Sequence, residues 1–381
     1  MNSHRTGKVL YVATVVKTHI MQFHLPYLKM LKDAGWETSV AARNDYEDPR
    51  ECKIPYCDRF FDISISRSPF KYTNIKAYKQ LKRIIDQGDY DIIHCHTPMG
   101  AALTRLAARR ARKKGCKVIY TAHGFHFYNG APLKNWLIYY PIERLLSHLT
   151  DVIVTINKED YERAKSFKSR RVEYIPGVGI DTEKFKPGCA DKSKKRTELG
   201  LNDEDFILLS VGELIERKNH KLVLDSLALI NDDHGHNNDK LKYVICGSGP
   251  LRENLERYAE AVGVNDRVIF LGYRQDINEI CCAADIFVFM SKHEGLPVAL
   301  LEAMSSGLPV ICSRIRGSID LITDEVNGLC IDNDPEKLAS AIVRMRDDAV
   351  LRKSFIEKSR QIAKEFDIRI IKKDMKKIYE I

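Results

Sequence analysis

The sequence has no long apolar run and no cysteine spacing typical of small secreted domains. None of its segments reaches the roughly 18 consecutive apolar residues that a membrane-spanning helix needs. Its ten cysteines are scattered over 381 residues, which predicts free thiols in a reducing compartment rather than a disulfide framework. Residues 9–16 are apolar, but Lys17 and His19 follow where a signal peptide would have a small-residue cleavage site, so we interpret this run as a buried strand. We therefore expect a cytoplasmic protein.

The strongest nucleotide-binding motifs are also missing. There is no Walker loop, and no glycine-rich loop follows the first predicted strand. The segment 247–250, Gly-Ser-Gly-Pro, resembles the start of a dinucleotide fingerprint, but Arg252 stands where its third glycine would be. This argues against a dehydrogenase. The segment 247–250 itself has two interpretations, a plain strand-to-helix turn or a set of backbone amides that face an anion.

The composition is that of an ordinary globular protein whose charge is unevenly distributed. Apolar residues make up 44% of the chain and charged residues 30%, and a length of 381 residues predicts two domains. Residues 1–190 contain 32 basic and 19 acidic side chains, whereas residues 191–381 contain 29 and 33. The basic first half predicts an anionic partner, which could be nucleic acid, a phosphorylated substrate or an anionic membrane surface.

Short apolar segments alternate with amphipathic ones, and this alternation predicts parallel sheets covered by helices on both faces. The predicted strands are 9–16, 38–41, 91–94, 118–121, 152–155 and 172–175, then 207–211, 242–246, 268–271, 286–290, 310–312 and 328–331. The predicted helices are 23–34, 74–85, 101–114, 136–147 and 159–167, then 220–230, 251–261, 299–306 and 336–345. Residues 176–196 are the predicted linker and residues 231–239 a surface loop. The fold class is therefore α/β, with doubly wound domains at 1–190 and 197–367 that face each other across a cleft.

One segment of the second half combines several features of an anion-binding site. A predicted strand is followed by a polar turn with Gly295 and Pro297, and a helix opens at about Val298. The free amides and the positive dipole end of a helix start favour an anion. Glu294 lies in the turn, and Glu302 lies roughly one helical turn inside an apolar helix, where a carboxylate needs hydrogen-bond donors. Ribose hydroxyls would supply them. The alternative is an ion pair with a neighbouring arginine.

Around this segment the sequence resembles the family-4 retaining glycosyltransferases of GT-B fold. Their signature is two glutamates separated by seven residues, which Glu294 and Glu302 match. The likeness covers almost the whole chain, and the other matching segments are 175–181, 211–214, 217–219, 246–250, 271–277 and 306–310. In the first half, residues 23–26 and 121–127 resemble the EpsD-type glycosyltransferases of bacterial exopolysaccharide, capsule and biofilm biosynthesis.

The resemblance implies a role for each matching residue of the second half. Glu302 would hold the ribose hydroxyls of a nucleotide sugar, and Glu294 would contact hydroxyls of the donor sugar. Lys218, together with Arg217, would neutralise the diphosphate as it leaves. The backbone of the turn and helix start would also meet the diphosphate, through Gly295, Leu296, Pro297 and Val298.

The resemblance implies four further points, two of which concern departures from the family. Backbone around Tyr273 and Arg274 would border the base, and His123 would lie against the donor sugar. The frequent Gly-Arg-Leu of the family has Glu213 in place of the arginine, so one diphosphate contact must come from another residue. The glycine-rich first loop of the family is absent, so no acceptor contact near 17–19 is carried over.

Histidines lie at two predicted strand ends. His94 and His96 end one strand, and His123 and His126 follow another, so a zinc site is conceivable. Neither pair has a carboxylate or thiolate at ligand spacing apart from Cys95, which should point away from its neighbours. The Asp-x-Asp pair with which GT-A transferases hold a metal is also absent. We therefore expect these histidines to contact sugar or acceptor, with no metal and no cofactor.

Basic residues are concentrated on two predicted helices of the first half. Arg105, Arg109 and Arg112 share one helical stripe, while Leu103 and Leu106 would pack inward. The second helix carries Lys76, Lys79, Lys82 and Arg83. These residues form either a solvated face or a surface that docks on an anionic bilayer. A nucleic-acid partner is not expected, because no recognition motif or aromatic stacking platform is present.

These observations favour a metal-independent, retaining glycosyltransferase that is peripheral at the cytoplasmic face of the cell membrane. It would move a sugar from a nucleotide donor, a UDP-sugar, to a growing lipid-linked saccharide. The first domain, joined by a returning helix at 368–381, would bind the acceptor, and the second domain the donor. The alternatives are a GT-B-fold nucleotide-sugar epimerase, which needs no acceptor, and a basic nucleic-acid-binding protein, whose affinity would fall steeply with salt.

Overall fold

The computed structural model describes residues 6–230 and 240–381, so the predicted loop 231–239 lies outside the described residues. The strands are β1 Lys8–Val15, β2 Glu37–Arg43, β3 Arg59–Asp62, β4 Ile92–His96, β5 Lys117–Ala122, β6 Val152–Thr155, β7 Arg171–Tyr174, β8 Phe206–Val211, β9 Leu241–Cys246, β10 Val268–Gly272, β11 Ile286–Phe289, β12 Val310–Ser313 and β13 Leu329–Ile331. The α-helices are α1 Met21–Phe23, α2 Leu25–Asp33, α3 Thr73–Gly88, α4 Pro98–Ala107, α5 Arg109–Lys113, α6 Leu133–Leu146, α7 Lys158–Ala164, α8 Lys192–Glu198, α9 His220–Leu229, α10 Arg252–Ala261, α11 Ile277–Ala283, α12 Val298–Ser305, α13 Pro335–Asp347, α14 Ala349–Glu365 and α15 Ile368–Tyr379.

The strands form two sheets, and neighbouring strands within each sheet are parallel. The first sheet has the order β3-β2-β1-β4-β5-β6-β7, and the second has the order β10-β9-β8-β11-β12-β13. In each sheet the order reverses beside the first strand, which is the topology of a doubly wound fold. The predicted α/β class is confirmed.

Strand β1 shows why apolar runs of this chain become central strands. From Val9 to Val15 every residue is at most 2% exposed. Strands β2 and β4 pair with its two edges, and helices cover both faces, so side chains that point up and side chains that point down are buried alike. A run without polar alternation is the expected sequence for such a strand.

The chain divides into two compact units. The first unit runs to Val178 and resumes at Ile368, and the second unit runs from Gly179 to Asp367. Residues 179–190, which the sequence analysis assigned to the first domain, thus belong to the second unit. Hydrogen bonds to other residues of the second unit explain why the boundary lies before residue 179. The Ile180 amide donates to the Phe366 carbonyl at 2.9 Å, and Ser305 Oγ donates to the Phe185 carbonyl at 2.5 Å.

Helix α15 packs on the core of the first unit. Its buried face consists of Ile371, Met375, Ile378 and Tyr379. The Tyr379 hydroxyl is hydrogen-bonded to the Tyr11 hydroxyl on β1 and, at 2.6 Å, to His94 Nδ1 on β4. Helix α15 therefore supplies part of the hydrophobic core that packs against the first sheet.

Four elements have no counterpart in the sequence analysis: β3, α8, α11 and α14. Strand β3 is a short edge strand, and no residue of it is fully buried. Helix α8 reads Lys-Ser-Lys-Lys-Arg-Thr-Glu and has no apolar stripe. Its two buried residues, Lys195 and Arg196, are charged. They can be buried because Lys195 Nζ pairs with Asp276 at 2.8 Å and Arg196 Nη2 pairs with Asp285 at 2.8 Å. The predicted linker 176–196 therefore ends in a helix of the second unit.

Candidate active site

Apart from Tyr273 and Arg274, the predicted site residues of the second unit follow two neighbouring parallel strands, β8 and β11. Arg217 and Lys218 lie in the 3-10 turn Glu216–Lys218 after β8, and Glu294 lies in the loop after β11. The strand order reverses between β8 and β11. Open α/β sheets bind ligands beyond the carboxyl ends of their strands at such a point.

Glu294 is the centre of a charged cluster at this edge of the sheet. Its Oε1 lies 2.5 Å from Arg217 Nη1 and 2.8 Å from Lys218 Nζ, and its side chain is 11% exposed. Ser291 Oγ donates to the same oxygen at 2.9 Å. Burial alone would raise the pKa of the Glu294 carboxyl, but the charges of Lys218 and Arg217 and the hydrogen bonds from Lys218 and Ser291 hold this pKa below its ordinary value. Glu294 is therefore an anion that faces two cations.

Lys218 is held by its neighbours rather than by its charge alone. Its Nζ lies 4.9 Å from the centre of the Phe289 ring at the end of β11. A Cβ atom at Gly212 would lie only 3.2 Å from Lys218 Cε. The glycine of the Gly212–Leu214 turn therefore leaves the space that the lysine stem occupies.

Two residues of this cluster, Ser291 and Arg316, were not among the predicted site residues. Arg316 Nε donates to the Glu294 carbonyl at 3.1 Å. The next residue, Gly317, has a φ of +80°, and a Cβ atom there would lie 2.4 Å from the Gly295 carbonyl oxygen. The loop after β12 therefore packs backbone to backbone on the turn that carries Glu294. The sequence signal that could have identified Ser291 and Arg316 is their position, because each follows a strand, β11 or β12, that ends at the same sheet edge.

Helix α12 begins at Val298, as predicted, and no side chain caps its start. Its N-cap residue is Pro297, which makes no side-chain hydrogen bond to the first turn. Leu296 is buried and anchors the turn before the helix. The amides of the first turn thus remain available to an anion at the positive end of the helix dipole.

Glu302 lies in the second turn of α12, and within the described residues its side chain makes no hydrogen bond or ion pair. The alternative of an arginine partner is therefore wrong for this part of the chain. Burial raises the pKa of Glu302 from an ordinary value of 4.5 to about 7, and the charge of Lys184 offsets this only in part. Glu302 is half-buried, and a carboxyl in such a place without donors has unused hydrogen-bonding capacity, which hydroxyl groups of a ligand can satisfy.

Tyr273 and Arg274 follow β10, which is three strands away from β11. At about 4.8 Å per strand they lie roughly 14 Å from the Glu294 loop along the sheet edge. The Arg274 guanidinium is paired with Asp276 at 2.6 Å and with Glu198 at 3.1 Å, whereas the Tyr273 side chain is 67% exposed. Glu213, which replaces the arginine of the family, is exposed and lies outside the Glu294 cluster.

The Gly247–Gly249 segment makes a tight backbone contact. A Cβ atom at Gly247 would lie 1.8 Å from the Gly212 carbonyl oxygen, and one at Gly249 would lie 2.5 Å from the Leu214 carbonyl oxygen. The Leu214 amide donates to the Ser248 carbonyl at 2.9 Å. These glycines let two loops approach each other, which favours the turn interpretation over the anion site.

In the first unit, His123 is brought together with three other histidines. His19, His24, His96 and His123 each place one ring nitrogen within 4.8 Å of the others. Burial lowers the pKa of His123 to about 4, and burial with mutual repulsion lowers the pKa of the other three well below 6.5.

The other residues that the sequence analysis grouped with these histidines lie elsewhere. His94 is bonded through both ring nitrogens, to Tyr379 and to Thr121. His126 is exposed and stacks on Tyr139. The Cys95 thiol donates to the Ile119 carbonyl and packs in the core, away from the histidines, as predicted.

The predicted basic stripe is wrong, because Arg105 is completely buried. Its Nη1 donates to Glu143 on α6 at 2.8 Å, and its guanidinium lies 4.3 Å from the centre of the Tyr120 ring. Leu106, which was expected to pack inward, is 38% exposed. Arg112 also points to a partner, Asp151, at 3.0 Å. Helix α4 therefore turns Arg105 to the core and Leu106 outward, whereas Leu103 packs against the core as predicted.

Helix α6 has an exposed apolar stripe instead. The most exposed of its large apolar residues are Leu133 at 72%, Leu137 at 68% and Leu145 at 69%. The stripe consists of Leu133, Leu137, Ile138, Pro141, Ile142 and Leu145, and the exposed Lys134 and Arg144 lie on the same helix. Its spacing follows the helical period, so these side chains form one continuous face.

Among the described residues, no helix is both long enough and apolar enough to cross a membrane.

Comparison with known proteins agrees with this arrangement. The family model "Glycosyl transferases group 1" matches residues 191–362, and "Glycosyl transferase 4-like" matches residues 8–157. The chain therefore belongs to the family-4 glycosyltransferases, and it is a glycosyltransferase enzyme.

Two relatives and one solved structure illustrate this membership. The chain is 40% identical to the "Putative glycosyltransferase EpsD" of Bacillus subtilis over 98% of its own length and 96% of that protein. It is 32% identical to the UDP-Gal:alpha-D-GlcNAc-diphosphoundecaprenol alpha-1,3-galactosyltransferase of Escherichia coli, over 77% and 76%. The structure of Anabaena Alr3699/HepE in complex with UDP and glucose superposes with a TM-score of 0.81 at 18% identity, covering 98% and 99% of the two chains. The GT-B fold is confirmed.

Proposed function

We propose that this enzyme moves a sugar from a UDP-sugar to a lipid-linked saccharide in exopolysaccharide biosynthesis, with retention of configuration. The observation that carries the proposal is the cluster of Glu294, Arg217 and Lys218 beside the uncapped start of α12. It offers an anion for the sugar, two cations for a diphosphate and helix amides for the same diphosphate. The Escherichia coli relative, whose printed name gives a UDP-sugar donor and a diphosphoundecaprenol acceptor, supports the choice of both substrates.

The donor would lie along the carboxyl edge of the second sheet. Glu302 would accept hydrogen bonds from the ribose hydroxyls, which removes the cost of its unpartnered buried carboxyl. The diphosphate would meet the backbone from Gly295 to Val298, and Arg217 and Lys218 would supply its counter-charge. Backbone near Tyr273 would border the base, at the distant end of the same edge.

The chemical step would be a same-face substitution. The bond between the anomeric carbon and the diphosphate oxygen breaks, and its electron pair leaves with the diphosphate. An acceptor hydroxyl then bonds to the anomeric carbon from the face that the diphosphate occupied, and its proton passes to the departing phosphate oxygen. Arg217, Lys218 and the α12 amides stabilise the charge that develops on the leaving group, so that no divalent cation is needed there. Glu294 stabilises the positive charge that develops on the sugar ring, and His123 would contact the same sugar.

The first unit would bind the acceptor at the inner face of the cell membrane. The exposed apolar stripe of α6 suits the acyl region of a bilayer, and the basic side chains around it suit anionic headgroups. Helix α5 contacts the 3-10 turn Ser147–Leu149 that follows α6, because Arg112 Nη1 donates to the His148 carbonyl at 3.0 Å, and it adds the exposed Arg109, Arg110 and Lys113. This surface replaces the arginine stripe of the sequence analysis.

A thermal-shift panel of UDP-, GDP- and ADP-sugars tests the donor site, since a ligand that binds only the folded state raises the Tm. UDP-sugars should raise the Tm most, and Lys218→Ala should reduce the shift. Lys221→Ala is the matched control, because Lys221 lies in the first turn of α9, just after Lys218 in the chain, and points to Asp225 and Tyr258. A larger shift with a GDP- or ADP-sugar would contradict the assigned base. Conversion of the donor sugar without any acceptor would indicate an epimerase.

A further inference from the structure

Four histidines from separate segments meet at the carboxyl edge of the first sheet. His19 lies in the π-helical turn Val16–Ile20 after β1, and His24 lies between α1 and α2. His96 is the last residue of β4, and His123 directly follows β5. Strands β1, β4 and β5 are consecutive in the sheet, so their carboxyl ends bring these side chains together.

Two of the nitrogen–nitrogen distances already match a four-coordinate metal site. His24 Nε2 lies 3.2 Å from His19 Nε2, and His96 Nδ1 lies 3.3 Å from His123 Nε2. A zinc ion bound at about 2.0–2.1 Å by each of four nitrogens would separate these nitrogens by about 3.3 Å along the edges of a tetrahedron. The remaining distances are all below 4.8 Å, and small rotations of the rings would shorten them.

Within the described residues, hydrogen bonds join these rings as two pairs, His19 with His24 and His96 with His123. His24 and His96 are 2% and 1% exposed. Among the described residues, His24 Nδ1 and His96 Nε2 have no hydrogen-bond partner. No carboxylate takes part in the cluster, so the rings cannot be balanced as cations. In each pair of rings one nitrogen must donate and the other accept, whereas a shared cation would take a lone pair from all four facing nitrogens and leave the outer nitrogens as the N–H groups.

We propose that His19, His24, His96 and His123 bind one zinc ion in the first unit. Four neutral imidazoles are a donor set for a borderline transition metal, whereas Mg²⁺ and Ca²⁺ require oxygen ligands that this cluster lacks. Four protein ligands leave no open position, so the ion would be structural. It would fix the 16–24 segment to the ends of β4 and β5.

This site is compatible with the proposed contact between His123 and the donor sugar. His123 Nε2 faces His96 and would bind the metal, which leaves Nδ1 as the N–H that can donate to a hydroxyl. The metal would thereby fix both the tautomer and the orientation of His123. His123 is half-buried, which provides a route for the ion to enter.

The test uses the full chain without a histidine tag. After purification with zinc and gel filtration, metal analysis should find one equivalent of zinc per chain. Co²⁺ added to the metal-free chain should give the intense visible absorption of tetrahedral cobalt and a higher Tm. His24→Gln and His96→Gln should lose both signals, whereas the exposed His148→Gln should keep them.

The proposal fails if the parent chain retains no zinc and gives no tetrahedral cobalt spectrum. It also fails if His24→Gln and His96→Gln bind the metal as the parent does. Because the cobalt spectrum of the parent chain decides the first outcome, a variant that does not fold leaves the test intact. The result is separate from the donor proposal, because UDP carries no sugar for His123 to contact, so the Tm shift with UDP would depend on the assigned residues of the second unit alone.

Discussion

The two units each contain a carboxylate paired with an arginine, and the comparison shows that position decides what such a pair does. In the first unit, Arg105 and Glu143 join two helices that cover the sheet, and their side chains are 0% and 9% exposed. In the second unit, Glu294 and Arg217 lie beyond the strand ends, with 11% and 29% exposed. A pair sealed between helices can contribute only to stability, whereas a pair at the carboxyl edge of a sheet can reach a ligand.

Breaking the buried pair should have the largest effect. Arg105→Gln leaves the Glu143 carboxylate buried without its partner, so we expect the free energy of unfolding to fall by about 3–5 kcal/mol. Arg109→Gln, an exposed arginine one turn further along, should change it by less than about 0.5 kcal/mol. Urea unfolding of both variants measures the difference.

A second comparison sharpens this result. Replacing both partners, in Arg105→Met with Glu143→Leu, removes the buried charges together and should recover most of the lost stability. Equal stability of Arg105→Gln and Arg109→Gln would mean that the pair is not the structural link described above.

Breaking the pair of Glu294 and Arg217 at the carboxyl edge of the second sheet should reduce catalysis rather than stability. Glu294→Gln keeps the shape of the side chain but removes the charge that faces Arg217, Lys218 and the sugar. We expect kcat to fall about 10- to 1000-fold, roughly 1.4–4 kcal/mol in activation free energy. Steady-state kinetics with the lipid-linked acceptor measures this, and Glu216→Gln, an 83% exposed neighbour of Arg217, is the control.

Glu302→Gln should instead chiefly raise the KM for the donor, because the ribose does not react and its contacts are similar in ground and transition states. If Glu302→Gln lost kcat while Glu294→Gln kept it, the two assigned roles would be reversed.

The unpartnered Glu302 also predicts a pH-dependent difference in stability without ligand. Its pKa in the folded chain is raised from 4.5 to about 7, so the folded state holds an extra proton between these values. Stability from this group is therefore complete below about pH 4.5 and is lost as the pH rises to about 7. Glu302→Gln lacks this loss and should be more stable than the parent at pH 8 by up to about 3 kcal/mol.

Thermal melts of parent and Glu302→Gln at pH 5 and pH 8 measure this difference. The advantage of the variant should be small at pH 5. An advantage of the same size at both pH values would show that the carboxyl does not titrate in this range.

The smallest expected effect concerns the apolar stripe of α6. Leu137→Ser with Ile142→Ser should weaken sedimentation with anionic liposomes about tenfold, or about 1.4 kcal/mol, because less apolar surface leaves water. Ile319→Ser with Val350→Ser removes exposed apolar side chains from the second unit, at 54% and 82% exposure, and should have no effect. Equal loss in both double variants would rule out docking through α6.

The strand series and the site loop of the second unit could be predicted from the sequence because their signals are local. An apolar run, a turn and a helix start lie within a dozen residues around Glu294, and α12 begins where the turn predicted. The position of Glu302 on a buried helix was readable for the same reason.

Contacts between distant segments could not be predicted in this way. Arg105 was assigned to the surface because its partner, Glu143, lies 38 residues away, and an arginine without a visible partner is expected to be solvated. Of the four clustered histidines, His96 and His123 were considered in separate pairs with His94 and His126, and His19 and His24 were not considered, because the sequence does not determine that β1, β4 and β5 are consecutive in the sheet. The buried charges of α8 escaped notice because their partners follow β10 and α11.

The return of α15 to the first unit also sets the order in which the chain can fold during synthesis. The second unit is continuous from Gly179 to Asp367 and can form as soon as that stretch has left the ribosome. The first unit is translated earlier, but its core lacks Ile371, Met375, Ile378 and Tyr379 until the last helix emerges. Although amino-terminal domains usually fold first on the ribosome, here the domain that begins first is the one that finishes last.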